Sequence, residues 1–300
     1  MKKPEIKKIL VPVDFTETSE TALSEAIELA RLLNADIFLI HIIEFNGYYF
    51  SIVPETKTML PSLREIENKV EERMGEMHDR IKNEFGINVK IFFTTGHIHS
   101  EIIDYSKKKK IDLIVMGTHG ASGYKELFIG TNAQRVVTLS DIPVLTIQQK
   151  KKKAGFKNIL LPIDNSTHSR QKVNMAIVIA NAFGAKINIL GLPDSNEKNE
   201  LNKFKLKLKS VEEIASEAKL PYETTIVNGK SVAQAALKFA NKNKCDLIVI
   251  NTGHESKLTG IFLGTFAQQI VNHSKIPVLS IKHIHGEFLI ETQGYGIGMG

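Results

Sequence analysis

Near its start the chain reads Ile9-Leu10-Val11-Pro12-Val13-Asp14, and 150 positions further on it reads Ile159-Leu160-Leu161-Pro162-Ile163-Asp164. Two more segments return in the same order, each 134 positions later: Asp112-Leu113-Ile114-Val115 as Asp246-Leu247-Ile248-Val249, and Ile142-Pro143-Val144-Leu145 as Ile276-Pro277-Val278-Leu279. Similarity at three ordered places indicates an internal duplication. The second copy is shorter than the first by 16 residues in its middle.

The length and composition agree with a duplicated globular protein. A chain of 300 residues is long enough for two domains, and its 42% hydrophobic and 24% charged residues are ordinary for globular proteins. We expect one domain over residues 1–149, a second over 155–285, and a tail over 286–300 that lies outside the duplication. The single cysteine, Cys245, excludes an internal disulfide and any cysteine-cluster metal site.

Each copy alternates continuous apolar runs with helical patterns, which is typical of a parallel sheet covered on both faces. The first copy predicts strands near 8–13, 36–43, 88–94, 112–117 and 143–147, with helices near 18–33, 62–85, 98–109 and 131–138. In the second of these helices Ser62 and Glu65 form a capping box. That helix also carries an apolar stripe at three- and four-residue steps, made by Leu63, Ile66, Val70, Met74, Met77, Ile81 and Phe85. The order predicts two doubly wound α/β units, whose ligands bind beyond the carboxyl ends of the strands.

A glycine-rich segment follows the fourth predicted strand. It has the pattern Gly-x2-Gly-x9-Gly-Thr, formed by Gly117, Gly120, Gly130 and Thr131. Glycines allow positive φ angles and close approach of a ligand to main-chain amides, and a helix N-terminus at Gly130 suits phosphate groups. The segment is not a P-loop, because no Gly-x4-Gly-Lys-[Ser/Thr] occurs, and no dinucleotide-type Gly-x-Gly-x-x-Gly follows a strand.

This pattern resembles that of the universal stress protein family, whose ATP-binding members carry Gly-x2-Gly-x9-Gly-[Ser/Thr] after strand four. The segments at 8–15, 39–43, 115–120 and 143–145 are also similar to that family, and the resemblance covers residues 6–148 and 156–282. It implies two five-stranded parallel sheets of Rossmann-like order 3-2-1-4-5. Members of the family dimerise through strand five, which implies an internal pseudo-dimer of the two halves here and leaves open a homodimer.

The resemblance also implies a set of nucleotide-binding residues. Asp14 would contact ribose or adenine, and the walls of the base pocket and the sugar–phosphate path would come from Pro12, Val13, Ile42, Met116, Gly117, His119 and Gly120. Gly130, Thr131 and Asn132 would hold the phosphates. A purely structural alternative is that Asp14 caps the following helix near residues 16–18, and His119 has the alternative of a solvent-facing loop residue. The implied ligand is ATP, with or without Mg²⁺, and AMP and ADP stay open.

The second copy departs from the glycine pattern. At the spacing of 134, Gly117 becomes Asn251 and Gly120 becomes His254, whereas Gly264 and Thr265 retain the closing pair. We therefore expect weak or absent nucleotide binding in the second half. Residues 46–61, which the second copy largely lacks, suggest a lid or an oligomer contact, with a packed loop as the alternative.

The charge and the histidines add little. The net charge is +6, but the lysine runs at 107–110 and 150–153 are not interleaved with aromatic residues, so we expect no nucleic-acid partner. No apolar run is long enough for a membrane span and no signal region is present, which favours the cytoplasm. The pairs His97/His99 and His283/His285 lack the further ligands of a metal site.

Three function classes stay open from the sequence. The first is an ATP-binding regulator of the stress response with at most slow hydrolysis, because no catalytic base or carboxylate pair accompanies the glycine loop. The second is an enzyme, either a slow ATPase or a protein that phosphorylates itself on Thr131 or Ser122. The third is an interaction protein without any nucleotide.

Overall fold

The computed structural model describes residues 4–44, 62–118, 129–148, 154–166, 172–228, 231–252, 254–256 and 260–282. The first half contains β1 (Lys8–Pro12), α1 (Glu17–Leu33), β2 (Asp36–Ile43), α2 (Leu63–Phe85), β3 (Val89–Thr95), α3 (Ile98–Lys109), β4 (Leu113–Gly117), α4 (Thr131–Leu139) and β5 (Val144–Ile147). The second half contains β6 (Asn158–Asp164), α5 (Val173–Phe183), β7 (Lys186–Leu192), α6 (Lys198–Glu217), β8 (Tyr222–Ile226), α7 (Val232–Lys242), β9 (Leu247–Thr252), β10 (His254–Ser256), β11 (Gly260–Phe262), α8 (Thr265–His273) and β12 (Val278–Lys282). The elements predicted for the first copy agree with these bounds to within one residue at each end.

Helix α2 shows how local sequence signals produce these elements. Ser62 caps it by accepting from the Glu65 amide, and the Glu65 carboxylate accepts in return from the Ser62 amide, so the predicted capping box is confirmed. Gly86 ends the helix with a φ of 67°. The middle of the predicted apolar stripe is buried, but its ends are not, since Leu63 and Phe85 are 43% and 42% exposed. Packing against the rest of the protein is therefore confined to the middle of the helix.

The two halves form one continuous sheet. Its ten strands run in the order β3-β2-β1-β4-β5-β12-β9-β6-β7-β8, so each half has the 3-2-1-4-5 arrangement when its own strands are counted. Within this sheet pairing is parallel inside each half and antiparallel only where β5 meets β12, with Leu145 opposite Leu279. Strands β10 and β11 form a separate two-stranded antiparallel sheet. The fifth strands therefore cover each other's edges, as expected for a pseudo-dimer. The open edges of this sheet are β3 and β8.

Apolar side chains fill both faces of the sheet, and each of the two layers continues from one half into the other. Glu25 of α1 is 1% exposed, and its Oε2 accepts from the Gly155 amide at 2.8 Å, which ties the first half to the segment leading into β6.

Burial raises the pKa of the Cys245 thiol to about 11, so it is protonated at neutral pH. In the part of the chain that the structure describes, no helix combines the length and apolarity of a membrane span.

Candidate functional site

A cavity of about 430 Å³ lies where β1 and β4 end side by side, which is the point at which strand order reverses in the first half. Nine of the eleven residues predicted for the nucleotide site line it: Pro12, Val13, Asp14, Ile42, Met116, Gly117, Gly130, Thr131 and Asn132. The other two, His119 and Gly120, lie outside the described residues, as does the segment 46–61. Sequence reasoning missed six further lining residues: Ser19, Glu44, Ile98, Ile102, Thr118 and Ala133.

Asp14 begins the loop after β1 and folds it into a tight turn. Its Oδ1 accepts from the Thr16 amide at 3.0 Å and from the Thr16 hydroxyl at 2.6 Å. Thr16, and not Asp14, is the N-cap of α1, because Thr16 Oγ1 accepts from the Ser19 amide. The carboxylate is exposed and lines the cavity, and both of its hydrogen bonds within the described chain use Oδ1. Asp14 thus shapes the loop and also presents Oδ2 as an acceptor at the cavity.

The loop after β1 also packs against an aromatic stack. Phe15 has a φ of 62° and stacks on His41 of β2 with ring centroids 4.7 Å apart, while the Arg73 guanidinium lies 4.0 Å from the Phe15 ring centre. His41 Nδ1 is 2.7 Å from the Val13 carbonyl oxygen, and since a carbonyl only accepts, Nδ1 carries the proton. Burial lowers the pKa of His41, outweighing the opposing effects of this bond and of Asp14. A neutral imidazole therefore positions Val13 at the cavity wall.

Helix α4 directs its N-terminus into the cavity. Gly130 is its N-cap residue, no side chain caps the helix, and its first turn contains no acidic residue. Thr131, Asn132 and Ala133 of that turn all line the cavity. Since the first amides of a helix lack partners within the helix and carry partial positive charge, this wall suits an anion.

Two glycines of the motif are required by protein packing and not by φ angles. The Gly130 amide donates to the Thr118 carbonyl oxygen at 2.7 Å, and a Cβ at Gly130 would lie 2.5 Å from that oxygen. A Cβ at Gly117 would lie 2.8 Å from Thr18 Cγ2 of α1 and 3.1 Å from the Thr18 carbonyl carbon. The φ of Gly130 is −60°, in the region open to any residue. The expected need for positive φ does not apply at Gly130, and close contact between α1, β4 and α4 explains both glycines.

Polar side chains gather at the rim of the cavity. Glu44 Oε1 lies 3.8 Å from His97 Nδ1, and the His99 side chain hydrogen-bonds to Asn132. The pKa of His99 is lowered, first by burial and then by the charges of Arg135 and His97, against the opposing effects of Glu44 and Asn132. The sequence marks these positions only weakly: Glu44 and His97 follow the ends of β2 and β3, at the edge where ligands bind in this architecture. Among the described residues, no group of three or more His, Cys, Asp or Glu side chains is arranged to hold a metal ion.

The second half keeps the loop geometry but changes the chemistry. Asp164 Oδ1 accepts from the Ser166 amide and hydroxyl at 3.0 and 2.6 Å, the same turn that Asp14 makes. Lys207 donates to the carbonyl oxygens of Asp164 and Ser166, so it holds this loop from the helix position that Arg73 occupies in the first half. The Asp14 turn occurs in the half with the intact glycine pattern, and the Asp164 turn occurs in the half where that pattern is altered. The turn is therefore a feature of the fold and does not depend on the glycine pattern.

The second-half segment that corresponds in sequence to the glycine pattern contains short strands. Asn251 lies within β9, and His254 begins the short strand β10, which pairs with β11. Gly264 is the N-cap residue of α8, as Gly130 is of α4. Phe266 and Gln269 stand at the α8 positions equivalent to Asn132 and Arg135. The helix terminus is therefore retained, whereas the rim residue Asn132 is replaced by Phe266 and the rim residue Glu44 by Asp194.

Doubly wound parallel sheets with a cavity at the switch point define a class of α/β proteins, and the duplication with antiparallel pairing of the fifth strands makes this chain a tandem member of it. The profile described as the Universal stress protein family matches residues 5–148 and again residues 155–282. The chain belongs to the universal stress protein family.

Relatives of single-domain length match about half of this chain. A universal stress protein of Methanocaldococcus jannaschii is 31% identical over 155 residues, which are 48% of this chain and 96% of that protein. The universal stress protein YxiE of Bacillus subtilis is 29% identical over 149 residues, or 47% of this chain and 98% of that protein. The crystal structure of a universal stress protein from Archaeoglobus fulgidus matches 94% of this chain and 99% of its own, with a TM-score of 0.74 at 20% identity. That last similarity establishes the tandem fold.

Proposed function

We propose that the first half binds ATP in the cavity at the ends of β1 and β4 and that the protein acts as a nucleotide-linked regulator. One observation carries the proposal: residues selected by their similarity to a nucleotide-binding pattern line one cavity, against a helix N-terminus with no acidic residue in its first turn. Its volume of about 430 Å³ lies within the range of roughly 300–1,000 Å³ that is usual for small-ligand pockets.

The walls of the cavity offer both apolar and polar groups. Ile42, Ile98, Ile102 and Met116 supply apolar surface for an adenine ring, beside the Val13 main chain that His41 holds. Asp14 Oδ2 is placed to accept from a ribose hydroxyl. The amides of the first turn of α4 would bind the phosphates, with the Thr131 hydroxyl as a further donor. Mg²⁺, where present, would enter with the phosphates.

The family and the fold support a regulator more than an enzyme. Two exposed carboxylates border the cavity: Asp14, whose Oδ1 is bonded to Thr16 and whose Oδ2 is assigned to the ribose, and Glu44, which lies 3.8 Å from His97. We assign neither of them the role of a base for hydrolysis. We therefore propose at most slow hydrolysis, a cytoplasmic role, and domains over 1–149 and 155–285. For the second half we propose weak or absent nucleotide binding, because Phe266 replaces the polar Asn132 at the helix terminus.

Calorimetric titration of the full chain with ATP and Mg²⁺ tests this proposal. The expected result is one equivalent per chain, lost in Asn132→Phe, which introduces the side chain that the second half already carries in the same helix position. The reciprocal variant Phe266→Asn is the matched control and should leave the stoichiometry unchanged. Titration with ADP, AMP and cyclic AMP, and anion exchange of the supernatant after heat denaturation, identify the preferred and the resident nucleotide.

The alternatives give different results in the same experiments. Binding of two equivalents of ATP per chain would contradict the proposal that the second half binds nucleotide weakly or not at all. No titration heat and no released nucleotide would indicate an interaction protein that works without nucleotide. Phosphate release well above background, abolished by Asn132→Phe, would indicate an enzyme.

A further inference from the structure

The two open edges of the ten-stranded sheet, β3 and β8, differ in how their side chains pack against the neighbouring helix. On the first-half edge, Phe92 of β3 stacks on Tyr105 of α3, with ring centroids 4.7 Å apart and an interplanar angle of 18°. The Lys109 ammonium lies over the Tyr105 ring, 5.7 Å from its centre. These contacts fill the space between the edge strand and the helix behind it.

On the second-half edge the corresponding aromatic residue is missing. Phe92 pairs with Ile40, and Thr225 pairs with Leu190, which is the equivalent of Ile40 in the duplication. Phe239 of α7 stands at the position equivalent to Tyr105. Because a threonine side chain is too short to cover this ring, a groove of about 610 Å³ opens between β8 and α7. Phe239 is left half-buried at its base.

The groove combines an apolar base with a cationic rim. Val227, Ala235 and Phe239 supply apolar surface, and Lys238 and Lys242 supply two exposed ammonium groups one helical turn apart. Neither lysine forms an ion pair with any carboxylate in the described parts of the chain. In the first half Asp104 occupies the position of Lys238, whereas Lys108 occupies that of Lys242, so the pair of cations on one helical turn is found only in the second half.

The main chain of β8 is also available along this edge. The Pro221 carbonyl oxygen and the Val227 amide are bonded to Ile187 and Gly191 of β7, each at 2.9 Å. Since main-chain groups of successive residues in a strand point to opposite sides, those of Tyr222, Thr224 and Ile226 point away from the sheet. An exposed edge of this kind accepts an additional strand.

We propose that the groove between β8 and α7 binds an extended segment of a partner protein that carries an aromatic residue with a carboxylate two positions away. Such a segment adds to the edge of β8 and lays its ring on Phe239 across the short side chain of Thr225. Side chains two positions apart in a strand share a face, so the carboxylates are directed to Lys238 and Lys242. The positive charges of Lys238 and Lys242 favour a segment with carboxylates, and the unpaired main chain of β8 favours a segment in an extended conformation. The proposal is independent of nucleotide binding.

Fluorescence anisotropy with a labelled peptide tests the proposal on the full chain. The probe is Val-Glu-Thr-Phe-Thr-Glu-Val, compared with one peptide that has Lys in place of both Glu and another that has Ala in place of Phe. We expect saturable binding of the first peptide and affinities at least about tenfold weaker for the other two, about 1.4 kcal/mol or more of discrimination. Equal affinities for the three peptides would overturn the proposal.

Two protein variants locate the binding surface. Thr225→Phe restores the pair found in the first half and is expected to abolish binding by filling the groove. Lys238→Asp introduces the charge of Asp104 and should weaken the Glu peptide about tenfold while improving the Lys peptide, even if Thr225→Phe fails to fold. Unchanged binding in both variants would place the peptide elsewhere and overturn the proposal.

Two other occupants give distinct results, and each would overturn the proposal of a partner segment. A second copy of the chain would appear as a dimer in sedimentation that Thr225→Phe dissociates. Occupation by the chain's own residues 283–300 would appear as a gain in peptide affinity of about tenfold or more after truncation at Lys282. A monomer whose peptide affinity is unaffected by truncation supports the proposal.

Discussion

The Gly130 amide donates to the Thr118 carbonyl oxygen at 2.7 Å, and the same oxygen lies 2.5 Å from the position that a Cβ on Gly130 would take. This contact joins the start of α4 to the residue that follows β4. The glycine therefore serves the fold before any ligand arrives, and its substitution cannot by itself report nucleotide binding.

Gly130→Ala should destabilise the protein without nucleotide. The added methyl group has to displace a main-chain oxygen, and overpacking of this kind costs about 1–3 kcal/mol. Gly75 is the matched control, because it lies inside α2 and a Cβ added there would have no neighbouring atom within 4 Å. Gly75→Ala should instead stabilise by about 0.5–1 kcal/mol. Urea denaturation of both variants measures the difference, and equal effects of the two substitutions would contradict this account of Gly130.

The His41 interaction predicts loss of stability in mild acid. The pKa of His41 is lowered in the folded protein from its ordinary value of 6.5, first by burial. The unfolded chain therefore takes up a proton that the folded protein resists, and stability falls as the pH drops below about 6.5. His99 contributes in the same direction, since its pKa is lowered too.

His41→Asn isolates this contribution. Asparagine places an amide donor near the position of Nδ1, so it retains a hydrogen bond to the Val13 carbonyl but does not titrate. The loss of unfolding free energy between pH 7.5 and 5.5, measured by urea denaturation, should be smaller in this variant than in the wild type. An equal loss of unfolding free energy in both proteins would show that His41 does not contribute to the loss of stability in mild acid.

The elements of the fold were predictable because their signals are local. Capping at Ser62, the apolar runs of the strands and the duplication each require only neighbouring or repeated residues. Nine cavity residues were predicted from the resemblance to the universal stress protein family, and the topology explains why they meet, since each lies near the end of a strand or the start of a helix at the same edge of the sheet. The apolar pattern on α2, by contrast, does not show that its ends at Leu63 and Phe85 are exposed, because burial depends on what packs against the helix.

What the sequence does not reveal depends on contacts between distant segments. The packing reason for Gly117 is its approach to Thr18, and the contact of Asn132 with His99 joins two helices. The groove beside β8 becomes visible only once sheet register equates Thr225 with Phe92, at a spacing of 133 where the neighbouring helices keep 134. Single-residue shifts of this kind carry no sequence signal of their own.

The rim of the cavity predicts discrimination between ATP and AMP. Arg135 lies one turn into α4 from Asn132, its charge acts on His99, and it forms no ion pair with any described carboxylate. Arg135→Gln, which introduces the residue of the second half, should weaken ATP about tenfold and AMP less than about twofold, because in the proposed binding mode only the longer phosphate chain would come near the Arg135 charge. Calorimetry with both nucleotides measures the ratio. An equal loss for ATP and AMP would place Arg135 away from the terminal phosphates.

Lys172 gives the clearest prediction for stability. It is 3% exposed at the position equivalent to Ala22 of the first half, and burial lowers its pKa from 10.5 to about 8, with Asp164 opposing and Lys207 adding to the shift. The unfolded chain holds this proton more tightly than the folded protein. Folding stability therefore falls as the pH drops from about 10.5 through 8, by an amount on the order of 3 kcal/mol at pH 7.

Lys172→Met should remove this penalty while keeping a side chain of similar length. We expect its unfolding free energy to exceed that of the wild type at pH 7 by roughly 1–3 kcal/mol, and the difference to shrink by pH 9.5, where the wild-type lysine is largely neutral in the folded protein. Lys209→Met, at an exposed position of α6, is the control and should change little at either pH. Urea denaturation at the two pH values measures the difference in unfolding free energy between Lys172→Met and the wild type. A difference that is the same at both pH values, or that favours the wild type at pH 7, would contradict the prediction. It would mean that the loop around Asp164 stabilises Lys172 as a cation.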